Sequence, residues 1–426
     1  MTFEDRGNLF YAKEEEIDVD ENIIAVYYIK SSKFSTKIAA EQIAIEESIG
    51  TWTKITTELD YVRRLAAKAF KYSNSNEGIV KIAYPLELFD PEVGGIPNLL
   101  SIVAGNLFGL AGLDTVKLMD LELPKKFIQL FPGPQYGIDK IRKLVGTSTH
   151  RRPHVGTIIK PKVGLTPKDT AKVAYEAASG GLDLIKDDET LTSQTFCPFE
   201  DRLTAVMEKL DLVKEETGKT VLYAINISAT YDKLLELADF AKDNGANCLM
   251  IDILTTGFSA VQILAQDSIK LPIHIHRTMH GALTEGLHGV SMMVIAKLTR
   301  LCGGDQLHTG TAAGKMGLAK DIPEIQKINE FLRSDWYGLK TIFPVASGGV
   351  HPGIVPINIE YLGTDLVIQA GGGVHGHPNG TRAGAKAMIQ AAEAAFQNIS
   401  LELYAQTHPE LALALDKWKD KYAKKD

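Results

Sequence analysis

The chain lacks the features that mark secreted, membrane-spanning and nucleic-acid-binding proteins. Its three cysteines, Cys197, Cys248 and Cys302, form no CxxC pair and no even framework, as expected in a reducing compartment. No apolar run approaches the roughly 18 residues of a membrane span, and the acidic N-terminus shows no signal-peptide pattern. The net charge of -7 argues against a nucleic-acid or acidic-membrane partner. These absences predict a cytoplasmic enzyme.

What the chain does contain is enough apolar sequence for more than one core. With 426 residues, of which 45% are hydrophobic, it is predicted to form at least two domains. Residues 1–135 mix strand and helix patterns without a repeat, which predicts an α+β, ferredoxin-like domain. The predicted strands are 23–29, 78–88 and 116–123, and the predicted helices are 36–48 and 96–110. A Pro/Gly cluster at 131–134 and a basic stretch at 147–153 predict a linker.

Beyond this stretch, short apolar runs alternate regularly with amphipathic helices. Thr166 and Pro167 are typical of a helix start, Gly180 of a helix end, and Asp321 with Pro323 of another start. The eight apolar runs are 155–159, 182–185, 221–227, 248–254, 271–275, 306–308, 342–346 and 366–368. This rhythm predicts an α/β fold, a (β/α)₈ TIM barrel over residues 136–400 with a helical extension over 401–426. A doubly wound open sheet is the competing architecture.

Polar side chains follow six of the eight runs, where a barrel carries its active site. They are Lys160 and Lys162; Lys186, Asp187, Asp188 and Glu189; His274, His276, Arg277 and His280; His308 and Lys315; Ser347, Gly348 and Gly349; and Gln369, Gly371, Gly372 and Gly373. Unrelated surface charges would not fall at the same end of six strands. The convergence therefore predicts one active site.

The lysine and carboxylates at 186–189 are the first indication of a metal site. Their oxygens suit Mg²⁺, although an isolated KDDE would be read as a surface charge cluster. The glycine loops at 348–349 and 371–373 could bind phosphate or only form tight turns. His276, His280 and His308 could be core side chains, metal ligands or proton carriers. Several lysines beside a dication favour enolisation of a sugar phosphate, but they do not specify the reaction.

Longer motifs carry a family resemblance. They are 157–165 (TIIKPKVGL), 181–189 (GLDLIKDDE), 274–280 (HIHRTMH), 304–311 (GDQLHTGT), 344–349 (PVASGG), 46–53 (EESIGTWT) and 101–109 (SIVAGNLFG). Along nearly its whole length the chain resembles the large subunit of ribulose-1,5-bisphosphate carboxylase/oxygenase. The resemblance implies that ribulose 1,5-bisphosphate is carboxylated to two 3-phosphoglycerates through an enediol, with O₂ competing against CO₂.

The resemblance also implies the metal site. Lys186 would be carbamylated by an activator CO₂ and would hold Mg²⁺ together with Asp188 and Glu189, which leaves Asp187 out of the ligand set. The carbamate would also take the C3 proton of the substrate. Lys160 would be the acid/base at C2, assisted by Lys162.

The remaining roles implied by the resemblance concern proton transfer, loop closure and phosphate binding. His276 would assist hydration and proton transfer, and Lys315 would close over the site and stabilise the new carboxylate. The implied substrate contacts are Arg277, His308 and Ser347 at one phosphate, Gly349, Gly371 and Gly372 at the other, and Gly348 and Gln369 nearby.

Four residues of the N-terminal domain are implied to act in a neighbouring subunit. Thr51 and Trp52 would complete the second phosphate site, Glu46 would orient Lys315, and Asn106 would lie near the metal. The expected assembly is therefore a homodimer with shared active sites, which could form rings of dimers, without a small subunit.

Some segments depart from the plant-type pattern. No acidic residue stands in 316–319, directly after Lys315, and Thr190 stands where asparagine is common, whereas 351–353, 371–380 and 413–418 are similar to the archaeal form III branch. That branch implies recycling of nucleotide-derived ribose. Two alternatives remain open: an enolase of 2,3-diketo-5-methylthiopentyl-1-phosphate in methionine salvage, and a non-catalytic sugar-phosphate-binding relative.

Overall fold

The computed structural model describes residues 7–267, 269–315 and 321–419. The described part divides into two compact units. One comprises the residues up to Pro132 together with Met279–Cys302, and the other comprises Gly133–Thr278 and the residues from Gly303 onward.

The strands, in chain order, are β1 (Asn22–Lys30), β2 (Lys68–Lys71), β3 (Glu77–Pro85), β4 (Thr115–Glu122), β5 (His154–Ile158), β6 (Leu184–Lys186), β7 (Leu222–Asn226), β8 (Cys248–Asp252), β9 (Ile273–His276), β10 (Gly289–Val290), β11 (Gln306–His308), β12 (Phe343–Ser347) and β13 (Val367–Gln369).

The helices are α1 (Thr36–Glu46), α2 (Gly95–Val103), α3 (Lys125–Ile128), α4 (Gly137–Val145), α5 (Pro167–Ser179), α6 (Phe199–Thr217), α7 (Tyr231–Asp243), α8 (Ile253–Thr256), α9 (Phe258–Gln266), α10 (Gly281–Thr284), α11 (Met292–Cys302), α12 (Ile322–Arg333), α13 (Val355–Leu362), α14 (Gly372–His375), α15 (Gly380–Phe396), α16 (Leu401–Ala405) and α17 (Pro409–Trp418). Within the described ranges, no helix is long and apolar enough to cross a bilayer.

The first unit is built on a ferredoxin-like sheet. Its strands follow the order β4-β1-β3-β2, and the chain order β1-α1-β2-β3-α2-β4 is that of a split βαβ fold. β1 lies between β3 and β4 and pairs antiparallel with both. β10, from the later segment, adds a short parallel edge to β4. The predicted α+β fold is confirmed.

The predicted helix over 96–110 is too long. α2 ends at Val103, and Gly105 adopts a non-helical backbone conformation with a ψ of -114°. Only glycine fits this conformation, because a Cβ there would lie 2.4 Å from the carbonyl oxygen of Ser101. The buried carboxylate of Glu47 then accepts the N–H of Leu107 at 2.5 Å. A side chain distant in sequence thus satisfies backbone that the helix would otherwise have used.

The second unit contains the predicted barrel. Within the described residues, β5 to β9 and β11 to β13 close in the order β11-β12-β13-β5-β6-β7-β8-β9. All observed pairs are parallel. Each predicted apolar run overlaps one of these strands, and no strand extends more than one residue beyond its run, so the barrel is confirmed over the open sheet. Buried apolar side chains from these strands fill the interior, as parallel strands covered on both faces require.

The helix boundaries read from sequence are also confirmed where the capping residues are described. Thr166 accepts the N–H of Asp169 at 3.2 Å and Pro167 opens α5, which ends at Gly180. Asp321 precedes α12, whose first turn contains Pro323. Near the C-terminus, Trp418 of α17 packs on Ala387 of α15.

The predicted linker is only partly right: the boundary between the two units falls in the Pro/Gly cluster 131–134, but the basic stretch 147–153 is not a linker. α4 occupies Gly137–Val145, and Arg152 is buried, with both terminal nitrogens on Asp183 at 2.7 and 3.0 Å. The basic residues are therefore part of the closed amino end of the barrel. Their charge suggested an exposed connector because the acidic partner lies 31 positions away in sequence.

Candidate active site

Lys186 ends β6 at the carboxyl end of the barrel and is fully buried. Its ammonium nitrogen Nζ donates to the carbonyl oxygen of Asp187 at 2.7 Å and lies 3.6 Å from Glu189 Oε2. Burial lowers the pKa of Lys186, although the nearby carboxylates oppose that shift. The amine is thereby brought closer to the neutral, nucleophilic form than a surface lysine would be.

Asp188 joins two neighbouring strand ends. It accepts a hydrogen bond from Lys160 Nζ at 2.6 Å, and its other oxygen accepts from the Thr190 hydroxyl at 2.9 Å. Burial favours the protonated acid, but the Lys160 ammonium and the Thr190 hydrogen bonds outweigh it and lower the pKa of Asp188. The carboxylate is therefore charged and available to a cation at neutral pH.

Asp187 points away from this cluster. Its carboxylate accepts from the Tyr223 hydroxyl at 2.6 Å, from the Asn226 N–H at 3.0 Å and from Arg202 Nε at 3.2 Å. Burial alone would lower the pKa of the Arg202 guanidinium, but Asp187 raises it above its usual value. With its oxygens bound in this way, Asp187 anchors the strand end and is not available as a ligand.

Glu189 faces His276, which ends β9. The two side chains approach to 3.7 Å at Oε2 and Nε2, and Asp252 Oδ1 lies 3.3 Å from the other ring nitrogen of His276. Burial would raise the pKa of Glu189, but the charges of Lys186 and His276 keep it below its usual value. Like the carboxylate of Asp188, the Glu189 carboxylate can thus meet a cation in its charged form.

The donor set fits a hard divalent cation once Lys186 is counted. Among the described residues, no group of three or more His, Cys, Asp or Glu side chains is arranged to hold a metal. Asp188 and Glu189 supply two carboxylates, and Mg²⁺ commonly binds protein through one or two carboxylates while water and substrate oxygens complete its six positions. An anionic oxygen group on Lys186 would complete a set of three.

His308 ends β11 and is hydrogen-bonded at both ring nitrogens. Its Nδ1 lies 2.8 Å from Ser347 Oγ, and its Nε2 lies 2.9 Å from Nε2 of His274. Burial lowers the pKa of His308 well below the usual value, and that of His274 to about 3. Both rings are neutral at physiological pH, and His308 meets the pocket through the Ser347 hydroxyl.

The glycine-rich loops after β12 and β13 bring backbone close to the lysines. A Cβ at Gly349 would lie 2.4 Å from the backbone nitrogen of Lys315, and one at Gly371 would lie 3.2 Å from Lys160 Cε. Gly349 also has a positive φ of 79°. A side chain at position 349 would displace the backbone of Lys315, whereas one at position 371 would only shift the end of the Lys160 side chain.

The other predicted site residues end or follow barrel strands, except His280, which belongs to the first unit. Lys162 and Lys315 are exposed, Gly348 follows Ser347 directly, Gly372 opens α14, and Gln369 is buried at the end of β13. The guanidinium of Arg277 lies beside Gly310, 3.3 Å from a Cβ placed there. His280 bonds to Thr284 at 2.9 Å within the segment Met279–Cys302. The predicted departure at 316–319 lies outside the described residues.

In the first unit, two of the four predicted site residues are in contact. Asn106 Nδ2 donates to Glu46 Oε1 at 3.4 Å. Beside them, burial raises the pKa of Glu47 to about 7. Thr51 is half-buried, and Trp52 exposes 52% of its surface, which is high for an indole.

Several residues around the site carried no recognised role in the sequence. Gln306 accepts from His274 at 2.6 Å if Nδ1 of that ring bears the proton, and Asp252 faces His276. Thr190 stood out only as a departure from asparagine, yet it holds Asp188. The only indication for the other two residues was their position at a strand boundary, where Gln306 begins β11 and Asp252 ends β8. This position does not reveal which side chains they contact.

Two family models match the chain. "Ribulose bisphosphate carboxylase large chain, catalytic domain" matches residues 137–418, and the corresponding "N-terminal domain" matches residues 10–127. Similar proteins include the ribulose bisphosphate carboxylase of Pyrococcus furiosus, 46% identical over 402 residues that cover 93% of this chain and 94% of the relative. The Methanocaldococcus jannaschii protein of the same name is 46% identical over 400 residues, covering 89% of this chain and 93% of the relative.

Solved structures give the same result. The octameric ribulose-1,5-bisphosphate carboxylase/oxygenase of Pyrococcus horikoshii, in complex with sulfate ion, superposes with a TM-score of 0.91 at 42% identity and covers 97% of both chains. The dimeric archaeal enzyme of Hyperthermus butylicus superposes with a TM-score of 0.88 at 38% identity, covering 96% of this chain and 99% of the other.

Proposed function

The chain belongs to the ribulose bisphosphate carboxylase large-chain family, and we propose that it carboxylates D-ribulose 1,5-bisphosphate at a Mg²⁺ site formed by carbamylated Lys186, Asp188 and Glu189. The products are two 3-phosphoglycerates, and oxygenation by O₂ competes. Relatives that cover nearly the whole chain bear the carboxylase name, which favours this activity over the enolase and the non-catalytic alternatives.

One observation carries the proposed site: a buried lysine with a lowered pKa stands beside two ionised carboxylates at one barrel end. A neutral amine can add to CO₂ with loss of a proton, which converts Lys186 into an oxygen ligand. When bound, Mg²⁺ would polarise the substrate carbonyl and stabilise the enediolate charge.

Lys160 is proposed as the acid/base at C2, assisted by Lys162. In this structure its ammonium nitrogen pairs with Asp188 at 2.6 Å, so Lys160 and a cation compete for the same carboxylate. Release from Asp188 would leave the lysine facing the substrate. His276, between Glu189 and Asp252, is proposed to move protons in the hydration and cleavage steps.

Substrate phosphates are proposed to bind at two places on the rim. Arg277, with Ser347 and His308, forms one grip, and Gly349, Gly371 and Gly372 form the other, with Gly348 and Gln369 nearby. Backbone N–H groups can approach phosphate oxygens closely where no Cβ intervenes. Lys315, whose backbone lies against Gly349, is proposed to stabilise the carboxylate that forms from CO₂.

The assembly is proposed to be a homodimer in which Glu46, Thr51, Trp52 and Asn106 complete the partner's site, without a small subunit. Dimeric and octameric relatives support self-association and allow rings of dimers as well. Mixing inactive Glu46→Gln and Lys186→Met proteins tests the shared site. Random exchange of subunits should restore about a quarter of wild-type activity, because half of the dimers then hold one intact site. No recovery after verified exchange would contradict shared sites.

The finer assignment is to the archaeal form III branch, in a cytoplasmic pathway that recycles nucleotide-derived ribose. The archaeal relatives support it, as do three buried cysteines, which suit a reducing compartment.

The decisive assay is anaerobic. Purified protein is incubated with Mg²⁺, labelled bicarbonate and ribulose 1,5-bisphosphate, and labelled 3-phosphoglycerate is measured. We expect acid-stable label that is lost without Mg²⁺. No label, with turnover of the diketo substrate instead, would refute the carboxylase assignment.

A further inference from the structure

Four side chains form a continuous hydrogen-bonded chain from the barrel interior to its carboxyl rim. Gln306 Oε1 lies 2.6 Å from His274 Nδ1, the two Nε2 atoms of His274 and His308 lie 2.9 Å apart, and His308 Nδ1 lies 2.8 Å from Ser347 Oγ. Gln306, His274 and His308 are buried, whereas Ser347 is half-buried beside the glycine loop. We call these four residues the relay.

The tautomers of the two histidines are coupled. Burial keeps both rings neutral, so each carries one proton on one of its two nitrogens. The contact between the two Nε2 atoms needs one proton in total, because two protons would clash and none would leave two lone pairs opposed. The relay therefore has two proton arrangements in which each of its three contacts is a hydrogen bond.

In the inward arrangement, every proton points toward Gln306. His274 donates from Nδ1 to Gln306 Oε1, His308 donates from Nε2 to His274, and the Ser347 hydroxyl donates to His308 Nδ1. Ser347 can then offer only oxygen lone pairs to the pocket. An anion placed there meets an acceptor where it needs a donor.

In the outward arrangement, every proton points the other way. The Gln306 amide is turned by 180° and its Nε2 donates to His274, His274 donates from Nε2 to His308, and His308 donates from Nδ1 to Ser347. The Ser347 hydroxyl proton is then released and can be donated into the pocket. Charge-assisted hydrogen bonds to an anion are among the stronger ones in proteins.

The two arrangements are close in free energy at the Gln306 end. Gln306 Nε2 is buried and, among the described residues, has no hydrogen-bond partner. When the amide turns, its oxygen takes the place of Nε2 and is the atom without a partner. Each arrangement therefore leaves one polar atom of Gln306 unpaired. A ligand that favours one arrangement can therefore shift the population with its own binding energy.

We propose that Gln306 and His274 are positioning residues that set, through the tautomer of His308, whether the Ser347 hydroxyl donates into the barrel or to a bound phosphate. The proposal rests on the proposed function only in taking Ser347 as a phosphate contact. Anion binding selects the outward arrangement, since a phosphate or sulfate oxygen accepts and does not donate.

The direct test is ¹⁵N NMR of the full-length protein, labelled in the histidine rings, measured as a sediment under magic-angle spinning. The probe is sulfate, with chloride at matched ionic strength as the control. On saturation with sulfate we expect His308 to change from the Nε2–H to the Nδ1–H tautomer and His274 from Nδ1–H to Nε2–H. Signals are assigned from His274→Asn and His308→Asn proteins. Unchanged tautomers with sulfate bound would overturn the proposal.

A double-mutant cycle provides a second readout. Ser347→Ala should raise KM for ribulose 1,5-bisphosphate by about tenfold to a hundredfold, the usual range for losing a hydrogen bond to a charged group. Gln306→Met keeps the volume and removes the amide, so His274 Nδ1 faces an apolar side chain in both arrangements. A buried N–H without an acceptor costs more than a lone pair without a donor, so this variant should favour the outward arrangement and lower KM by about threefold to tenfold with kcat unchanged. In the Ser347→Ala background, Gln306→Met should have no further effect on KM.

Asn329→Leu is the matched control. Asn329 is also fully buried, and within the described part of the chain its side-chain amide has no hydrogen-bond partner, but it lies on α12 outside the relay. It should change neither KM nor the tautomers. Equal KM changes in Asn329→Leu and Gln306→Met, a KM increase in Gln306→Met, or an additive double mutant would show a general packing effect and refute the relay.

The relay and the proposed carboxylase activity can be refuted independently of each other. If wild-type protein carboxylates but sulfate leaves the tautomers unchanged, the relay is refuted and the enzyme assignment stands. If no carboxylation occurs, the enzyme assignment is refuted, while the NMR measurement still decides the relay.

Discussion

At the amino end of the barrel, Asp183 accepts hydrogen bonds from both terminal nitrogens of Arg152. It also forms an ion pair with Lys219 at 2.9 Å. At the carboxyl end, Lys186 lies among carboxylates without a close, bidentate partner, at 3.6 Å from Glu189. Burial works against the charge of Asp183, but Lys219 and Arg152 outweigh it and lower its pKa; at Lys186, burial prevails and lowers the pKa.

The contrast between the two ends shows that the barrel places its stabilising ion pairs at the amino end and its reactive amine at the carboxyl end. Ion pairs with full geometric complementarity hold charges that never change state. A buried amine with incomplete pairing can lose its proton and react. Substitutions that exchange or remove charged groups at the two ends should therefore have different effects.

Replacing the reactive amine should have the largest effect. Lys186→Met should lower carboxylation by roughly four orders of magnitude or more, as removal of a member of a catalytic unit does. The thermal midpoint should stay the same or rise, because an uncompensated buried amine is costly. Steady-state assays and calorimetry would measure both. A large fall in the midpoint would mean that Lys186 is instead structural.

Lys315 should separate two steps of the reaction. Lys315→Ala should reduce carboxylation by about a hundredfold or more, since it removes charge stabilisation late in the reaction. Exchange of the substrate C3 proton with solvent should persist, as seen by NMR in deuterated buffer. Lys340→Ala, an exposed lysine outside the rim, is the control. Equal loss of exchange and carboxylation would contradict the assigned role.

At the amino end, the matching change should alter stability and spare catalysis. Asp183→Asn leaves Arg152 and Lys219 without their shared buried carboxylate, and we expect a loss of about 3 kcal/mol or more in unfolding free energy. Denaturant titration would measure it, and kcat below the transition should equal that of the wild type. A reduced kcat with unchanged stability would invalidate the division between the two ends.

The smallest expected effect concerns acid stability. Burial lowers the pKa of His154 from 6.5 to about 3, so the unfolded chain binds a proton below pH 6.5 that the folded chain refuses. Stability is therefore complete above that pH and is lost as the pH falls from 6.5 toward 3. Between pH 7 and 5, this one histidine should cost about 2 kcal/mol of unfolding free energy.

His154→Phe should remove that loss. The difference in unfolding free energy between pH 7 and 5 should be smaller in the variant by this amount, while His274 at the other end, whose pKa is also lowered to about 3, keeps its own contribution. An identical pH dependence in both proteins would show that His154 is protonated in the fold or uncharged in the unfolded state.

Much of the fold could be read from local pattern. Each barrel strand overlaps a predicted apolar run to within one residue, because parallel strands covered on both faces need continuous apolar sequence. The prediction was wrong for 96–110, where Gly105 and the distant carboxylate of Glu47 end the helix. It was also wrong for the basic stretch 147–153, because Arg152 is paired with Asp183, which directly precedes another strand.

The sequence by itself determined which residue types gather at the carboxyl ends of the strands, since strand order and polarity follow from the repeated pattern. The family resemblance already left Asp187 out of the ligand set, but only the tertiary structure gives the physical reason: Asp187 turns into the wall toward Tyr223 and Arg202, whereas Asp188 turns toward Lys160. It also decided that Gln306 reaches Ser347 through two histidines. Successive residues of a strand point to opposite faces, but the groups they meet there come from other strands.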